Sequence, residues 1–437
     1  MQCRAVFLEE LNFLLSRPDM TEAMHTMYLS DMWHRGAYYE RQLPGFNLHD
    51  GPHYYGIIHT LLAEVVRRSP NLKKVDWAGM DLSEEFLSVL ATLPSLHSIT
   101  LGNCIPSEKA YNAISAGIIP GSTSVLNLTL TMHSPDELQT FDHRPLLWCV
   151  LPLFPNIRTL AVIQHMETNP IPFPHPEDSI HYTSVQNLER ILLEDLPIPD
   201  LSSFATWIEN GPAVNLTHLK VVCGLGMAQN LIQELMNALQ SSPRLHTLVL
   251  EGILDAPAGL ITQIAESCPT LRGLTLVRRH NERQVKTKLA SWPDSVCDYA
   301  SRMSTFEHLQ YFAWNAKIPG AEHSPITMLN FENDFDTYAT PESPLIEWDP
   351  EAYEPEASVA RLFAAHCKTL RMYTLIGLLG FNHVPIYVHS IERGHNNSIA
   401  VVKQDANRSN FLDWNPNQQG WPDILADHSQ NDFAAIG

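Results

Sequence analysis

The residues of this chain best placed to do chemistry are Gly224 and Gly226. They follow an apolar stretch that reads as a strand and open the amphipathic run Ala228, Leu231, Ile232, Leu235, Met236 and Leu239, after which a second strand-like stretch ends at Glu251. That succession is how a dinucleotide is held: glycines let backbone N–H groups approach a pyrophosphate, and an acid takes a ribose hydroxyl. The third glycine position holds Gln229, however, and the same strand-helix-strand succession recurs along the chain without a glycine pair. A turn that needs flexible backbone is therefore the reading adopted, with a nucleotide-binding enzyme as the distant alternative.

Other sets of reactive side chains fail on spacing. Glu332, Asp334, Asp336 and Glu342 imitate a calcium loop, but Thr337 and Ser343 stand where such a loop needs a glycine and a bidentate acid. His49, His53 and His59 lack both a cysteine pair and a helical i, i+4 spacing. No His-Glu-x-x-His, Gly-x-Ser-x-Gly or phosphate-loop motif is present. No catalytic residue, cofactor or metal site is expected, and the chain is not read as an enzyme. The seven cysteines are scattered and never spaced Cys-x-x-Cys, which fits reduced thiols in cytoplasm or nucleus. Cys268 and Cys367 fall on apolar helical stripes and are expected to be buried and inert.

The elements that must position any site come from a repeat. Ser242-Pro243-Arg244-Leu245 runs into Thr247-Leu248-Val249-Leu250, and Cys268-Pro269-Thr270-Leu271 runs into Gly273-Leu274-Thr275-Leu276, so Pro-x-Leu-x-x-Leu-x-Leu is written twice. The offsets zero, three and five recur at Leu72/Val75/Trp77, Leu96/Ile99/Leu101, Val125/Leu128/Leu130, Ile157/Leu160/Val162 and Leu188/Ile191/Leu193. They continue at Leu216/Leu219/Val221, Leu245/Leu248/Leu250, Leu271/Leu274/Leu276, Leu309/Phe312/Trp314 and Leu370/Tyr373/Leu375. Over the first eight units the starts lie about 24 to 32 residues apart. Pro70, Pro94, Pro155, Pro243 and Pro269 stand two residues before an anchor, where proline stops a helix from running into the strand. Between anchors lie helical stripes such as Leu260, Ile261, Ile264, Ala265 and Cys268. A strand and one such helix cannot bury their apolar faces alone, so neighbouring units must stack.

On these residues the chain resembles the leucine-rich-repeat family over residues 56–377. Leu96-x-x-Ile99-x-Leu101-x-x-Cys104 and the Cys-Pro-x-Leu opening at Cys268 resemble its cysteine-containing subclass, common in the substrate-binding half of F-box proteins. The resemblance implies an α/β leucine-rich-repeat solenoid, a horseshoe of ten units with a parallel concave sheet and outer helices. It also implies a protein partner, with a ubiquitin-ligase adaptor as a second one. No F-box is found: Leu43-Pro44 is followed by Gly45, His49, Gly51 and Pro52 rather than spaced apolar residues, so no adaptor-binding residue is carried over.

Three regions are expected. Residues 1–55 form a helical cap, with helices over Ala5–Leu15 and Thr21–Trp33; residues 56–380 form the solenoid, interrupted by insertions at 278–305 and 318–360. Residues 381–437 form a capping hairpin, Pro385–Glu392 with Ser398–Lys403, and a polar tail. Residues at offsets two, four and six alternate away from the inward anchors and line the concave face. Among them, Lys74, Asp76, Arg190, Glu194, His218, Lys220, Glu251, Tyr311 and Asn315 are the candidate partner-binding residues, with Tyr311 read as an exposed tyrosine. Arg278, Arg279 and Arg283 of the basic insertion are candidates too, since the insertion at 318–360 holds ten acidic residues and no Lys or Arg. With 28 Lys and Arg against 48 Asp and Glu, a formal charge of −20 argues against nucleic acid or an anionic membrane as partner. No apolar run reaches spanning length. The function expected is a non-catalytic binding scaffold: a ubiquitin-ligase substrate receptor, or an inhibitor or assembly scaffold outside ubiquitin transfer.

Overall fold

A computed structural model describes residues 2–30, 51–132 except 81, 103 and 105, 148–164, 187–209 except 196 and 197, 215–279, 289–317, 355–379, 382–394 and 398–404. The chain divides into two compact units, Met1–Lys220 and Val221–Gly437.

The N-terminal unit opens with α1 (Gln2–Ser16) and α2 (Pro18–Ala23). Pro18 does not simply end the first helix; at the first position of α2, where its missing N–H is no loss, it starts the second. The segment expected as a helix over 21–33 does not continue as one. Thr26–Ser30 forms strand β1, which pairs in parallel with β2 (Lys74–Ala78). Tertiary pairing overrides local pattern here: Met27 lies opposite Val75 and Leu29 opposite Trp77, so the strand extends two inward rows of the sheet. The helix α3 (Gly51–Arg67) buries Ile58, Leu62, Val65 and Val66. Its backbone starts inside the region 1–55 expected as the cap. The Ser69 hydroxyl donates to Val65 O as the helix ends, and Pro70 follows.

Strands β3 (Ser98–Gly102), β4 (Asn127–Met132), β5 (Thr159–Gln164) and β6 (Arg190–Glu194) continue the parallel sheet in unbroken register. Val75, Ile99, Leu128, Leu160 and Ile191 form one inward row, and Trp77, Leu101, Leu130, Val162 and Leu193 the next, all at most 1% exposed. These are the residues at offsets three and five. Each such side chain taken from water contributes about 1.5–3 kcal/mol, which is what holds one repeat on the next. The covering helices are α4 (Glu84–Thr92), α5 (Glu108–Ser115) and α6 (Ile198–Glu209), with a 3-10 turn at Trp148–Leu153. Ser83 and Ser107 cap α4 and α5 by accepting from Phe86 N and Ala110 N, and acids occupy both first turns, where the helix dipole favours them. The Cys104 thiol donates to Trp77 O and Gly102 O, tying the turn after β3 to the strand before it.

Strand β7 (His218–Met227) carries the chain across the boundary. The C-terminal unit continues with α7 (Gln229–Leu239), β8 (Thr247–Ile253), α8 (Gly259–Ser267), β9 (Gly273–Arg278), α9 (Val296–Arg302), β10 (Tyr311–Trp314), α10 (Pro355–His366) and β11 (Met372–Leu379). Strands β8 to β11 are parallel. Leu248, Leu274, Phe312 and Tyr373 share one row, and Leu250, Leu276, Trp314 and Leu375 the next. The expected insertion at 278–305 holds the helix of a repeat: α9 is closed by a reciprocal capping box between Ser295 and Asp298, and Ala290 bridges Ala316. Residues 355–360 of the second insertion belong to α10, and residues 318–354 lie outside the described residues. Finally β12 (Asn382–Arg393) and β13 (Ile399–Gln404) add to β11 as antiparallel strands. Arg393 Nη2 donates to Ala364 O and Cys367 O, so a strand residue satisfies carbonyls at the end of α10.

The two units treat their sheets differently. In β2 and β3 burial alternates, as in a sheet with one wet face. Every residue of β8 and β10 is buried, and so are five of the six in β9. Their sequences, such as Leu248-Val249-Leu250 and Tyr311-Phe312-Ala313-Trp314, read as continuous apolar runs, the pattern of strands covered on both sides.

Candidate protein-binding face

The wet face of the N-terminal unit is built by register. Thr26, Lys74, Ser98, Asn127, Thr159 and Arg190 form one row across β1 to β6. Tyr28, Asp76, Thr100, Thr129, Ala161 and Leu192 form the second, and Ser30, Ala78, Gly102, Thr131, Ile163 and Glu194 the third. Over β1 to β4 the face is small and rich in hydroxyls. Its middle row closes from β4 onward, where Thr129, Ala161 and Leu192 are buried.

Lys74 organises the open end of this face. Its ammonium lies 3.0 Å from Asp76 Oδ2, donates to the Tyr28 hydroxyl at 3.4 Å, and sits 5.2 Å from the centre of the Tyr28 ring. Partial burial opposes the charge on Lys74, but the hydrogen bonds and charges of Asp76 and Tyr28 outweigh it and raise the pKa above the ordinary lysine value. Tyr28 itself is 69% exposed. An aromatic ring held on a strand by a cation, with its outer face in water, is a preorganised contact for a partner. Asp76 Oδ1 has no hydrogen-bond partner among the described residues.

The other expected residues fall into three groups. Arg190 and Glu194 are half-buried on β6, in the first and third rows. His218 and Lys220 are buried on β7, with His218 Nδ1 2.8 Å from the Thr217 hydroxyl. Among the described residues of the C-terminal unit the expected exposed face is not found. Tyr311, expected in solvent, is buried with Met372 and Val388, and that burial pushes its hydroxyl pKa up despite the nearby charge of Arg371. Glu251 is 4% exposed and bound by Arg279. Asn315 is buried, and its amide both accepts from Arg278 N and donates to Arg278 O. Arg278 spends its guanidinium on Leu254 O and Ser291 O. The charged residues at this edge are thus turned inward, because a sheet covered on both faces leaves them only internal partners. Arg283 lies outside the described residues, as do His49, His53 and the acids of the imitation calcium loop.

Gly226, the second glycine of the pair, has a packing explanation. Gly226 has φ +93°, and a Cβ there would lie 2.5 Å from Leu254 Cδ2. Its counterpart on β8, Gly252, has φ +96° beside the shift in register between Glu251 and Ile253, where a Cβ would meet Cys223 O at 2.0 Å. Both glycines let a β-bulge and its neighbour come close. Cys268 and Cys367 are buried; desolvation raises the Cys268 thiol to about 12 and the Cys367 thiol upward, so neither is a thiolate nucleophile. Among the described residues, no group of three or more His, Cys, Asp or Glu is placed to hold a metal, and no helix is long and apolar enough to cross a membrane.

Tyr28 is the functional candidate that sequence reading missed. The signal was present: Met24, Met27 and Leu29 carry the same zero, three, five offsets as the other units.

No family model matches the chain, and no curated protein matches it. Among solved structures it is similar to one described as a crystal structure of a TLR13–ssRNA13 complex, at 12% sequence identity and a TM-score of 0.27. The match covers 57% of this chain and 43% of that one, so it spans less than half the length of that protein.

Proposed function

We propose that the chain is a non-catalytic scaffold that holds a protein partner on the open face of β1 to β3. The observation that carries this reading is the cluster of Tyr28, Lys74 and Asp76 beside a hydroxyl-rich surface. Interfaces draw much of their affinity from a few aromatic anchors held rigid before binding, with small polar residues around them. In the finer reading the partner is a target held for ubiquitin transfer by other subunits. It is supported only by the family resemblance and by Cys104, whose thiol bridges Trp77 O and Gly102 O where the cysteine-containing repeats place one. An inhibitor or assembly scaffold would use the same face without ligase subunits.

The test is a photoreactive amino acid placed at Tyr28 or Thr100 in the full chain, with Glu266 on the outer helix α8 as control. Protein adducts from positions 28 and 100 and none from 266 are expected. Equal adducts from all three positions would sink the reading, and adducts abolished by ribonuclease would replace the protein partner with RNA. Recovery of ligase subunits in the same complex separates the substrate receptor from the other scaffolds.

A further inference from the structure

Among the described residues, five of the seven large apolar side chains left exposed belong to one end of the N-terminal unit: Val6, Phe13, Met20, Tyr28 and Ile57. Tyr28 belongs to the sheet face; the others form a separate feature on helices. Among the described side chains of α1 only Leu11 is buried, with Phe7, Leu8, Leu14 and Leu15 half-buried around it. Val6, Glu9, Glu10 and Phe13 then follow at i, i+3, i+4 and i+7, one outward stripe on the opposite side. Val6 is 47% exposed and Phe13 51%. A helix apolar on both sides is ordinarily covered on both.

The charges select what covers it. By sequence, α1 and α2 with the linking Arg17 carry Glu9, Glu10, Asp19 and Glu22 against Arg4 and Arg17. Arg17 is already held by Asp19 at 2.7 Å and lies over the Phe13 ring. Glu9, Glu10 and Glu22 have no ion pair among the described residues. A second copy of the chain is disfavoured, because a two-fold pairing of α1 sets Glu9 and Glu10 against their own equivalents. We propose that the outward stripe of α1 docks a basic amphipathic helix of another protein. Its apolar residues would lie on Val6 and Phe13, and its lysines or arginines beside Glu9 and Glu10.

The probe is a fluorescein-labelled helical peptide of alternating Leu and Lys faces, together with a twin carrying Glu for Lys, titrated with the full chain by fluorescence anisotropy. The basic peptide is expected to bind at micromolar concentration and the acidic twin at least about ten-fold more weakly. Val6→Ser with Phe13→Ser should weaken binding about ten-fold, and Glu9→Gln with Glu10→Gln about five-fold, each with an unchanged thermal melt. Glu266→Gln with Glu307→Gln, equal charge removed from exposed sites elsewhere, should leave binding unchanged. Hydrogen exchange should slow in residues 2–16 when the peptide binds. The proposal is overturned if the control pair weakens binding as much as Glu9→Gln with Glu10→Gln, or if Val6→Ser with Phe13→Ser binds like the parent. Sedimentation that shows a dimer abolished by Phe13→Ser would overturn it in favour of a second copy.

Discussion

Arg279 Nη2 lies 2.5 Å from Glu251 Oε1, joining the end of β9 to a carboxylate that is 4% exposed on β8. A buried charge keeps its place only while its partner stays, so this pair is structural rather than a lip for a ligand. Arg279→Ala should lower unfolding stability by about 3 kcal/mol in urea titrations, whereas Lys74→Ala, removing a half-exposed pair, should cost about 1 kcal/mol or less. Equal effects would show that Glu251 reaches water.

Asn315 works by shape rather than charge. Its amide closes two hydrogen bonds on the backbone of Arg278, so Asn315→Ala leaves a buried donor and acceptor bare and should cost about 2 kcal/mol. Asn315→Asp keeps the acceptor for Arg278 N and loses the donor for Arg278 O, and should lie below the parent in thermal midpoint.

Gly252→Ala should be among the most damaging small substitutions. It combines a positive φ with a Cβ 2.0 Å from Cys223 O, and a loss of about 3 kcal/mol or more is expected. The loss should appear in the chain without any ligand. A variant that folded normally and lost only ligand binding would revive the nucleotide reading of this region.

The Cys268 thiol, raised to about 12 by burial from an ordinary value of 9.0, makes stability depend on alkali. The unfolded chain releases this proton at lower pH than the folded chain does. The contribution is therefore complete below pH 9 and falls as pH rises toward 12. At pH 10.5 the thiol alone should cost about 2 kcal/mol, and Cys268→Ala should flatten the decline of the urea midpoint between pH 8 and 10.5.

The repeat was legible because its inward residues are set by burial alone. Trp314 stands in the row of Leu276, and Tyr373 in the row of Leu274, despite the longer spacings around them. Strand β1 was not read, because Met24, Met27 and Leu29 are less marked than leucine anchors and Glu22, not proline, stands two residues before Met24. The helix α9 carried its own signature, Ser295 with Asp298 three residues later, inside a segment that net basic charge had marked as an insertion. The binding face was read by one rule for all strands, which holds only where a face is wet. Lys74-Val75-Asp76-Trp77 alternates and obeys it; Tyr311-Phe312-Ala313-Trp314 is apolar at every position, is buried throughout, and does not. That contrast in alternation was visible in the residues and separates Tyr28 and Lys74 from Tyr311.

The register of β1 to β6 also bears on how this unit reaches its fold. Each strand pairs with the strand of the next repeat, Val75 with Ile99, Ile99 with Leu128 and Leu128 with Leu160, so no pairing joins distant parts of the chain. From β2 to β6 the loop closed at each step is of similar size wherever the first pair forms, and the longer one between β1 and β2 adds only about 0.6 kcal/mol of closure entropy, so the entropy lost is much the same from step to step. Folding of the N-terminal unit can therefore start at any two adjacent repeats and spread outward, with a rate governed by local stability rather than by chain length.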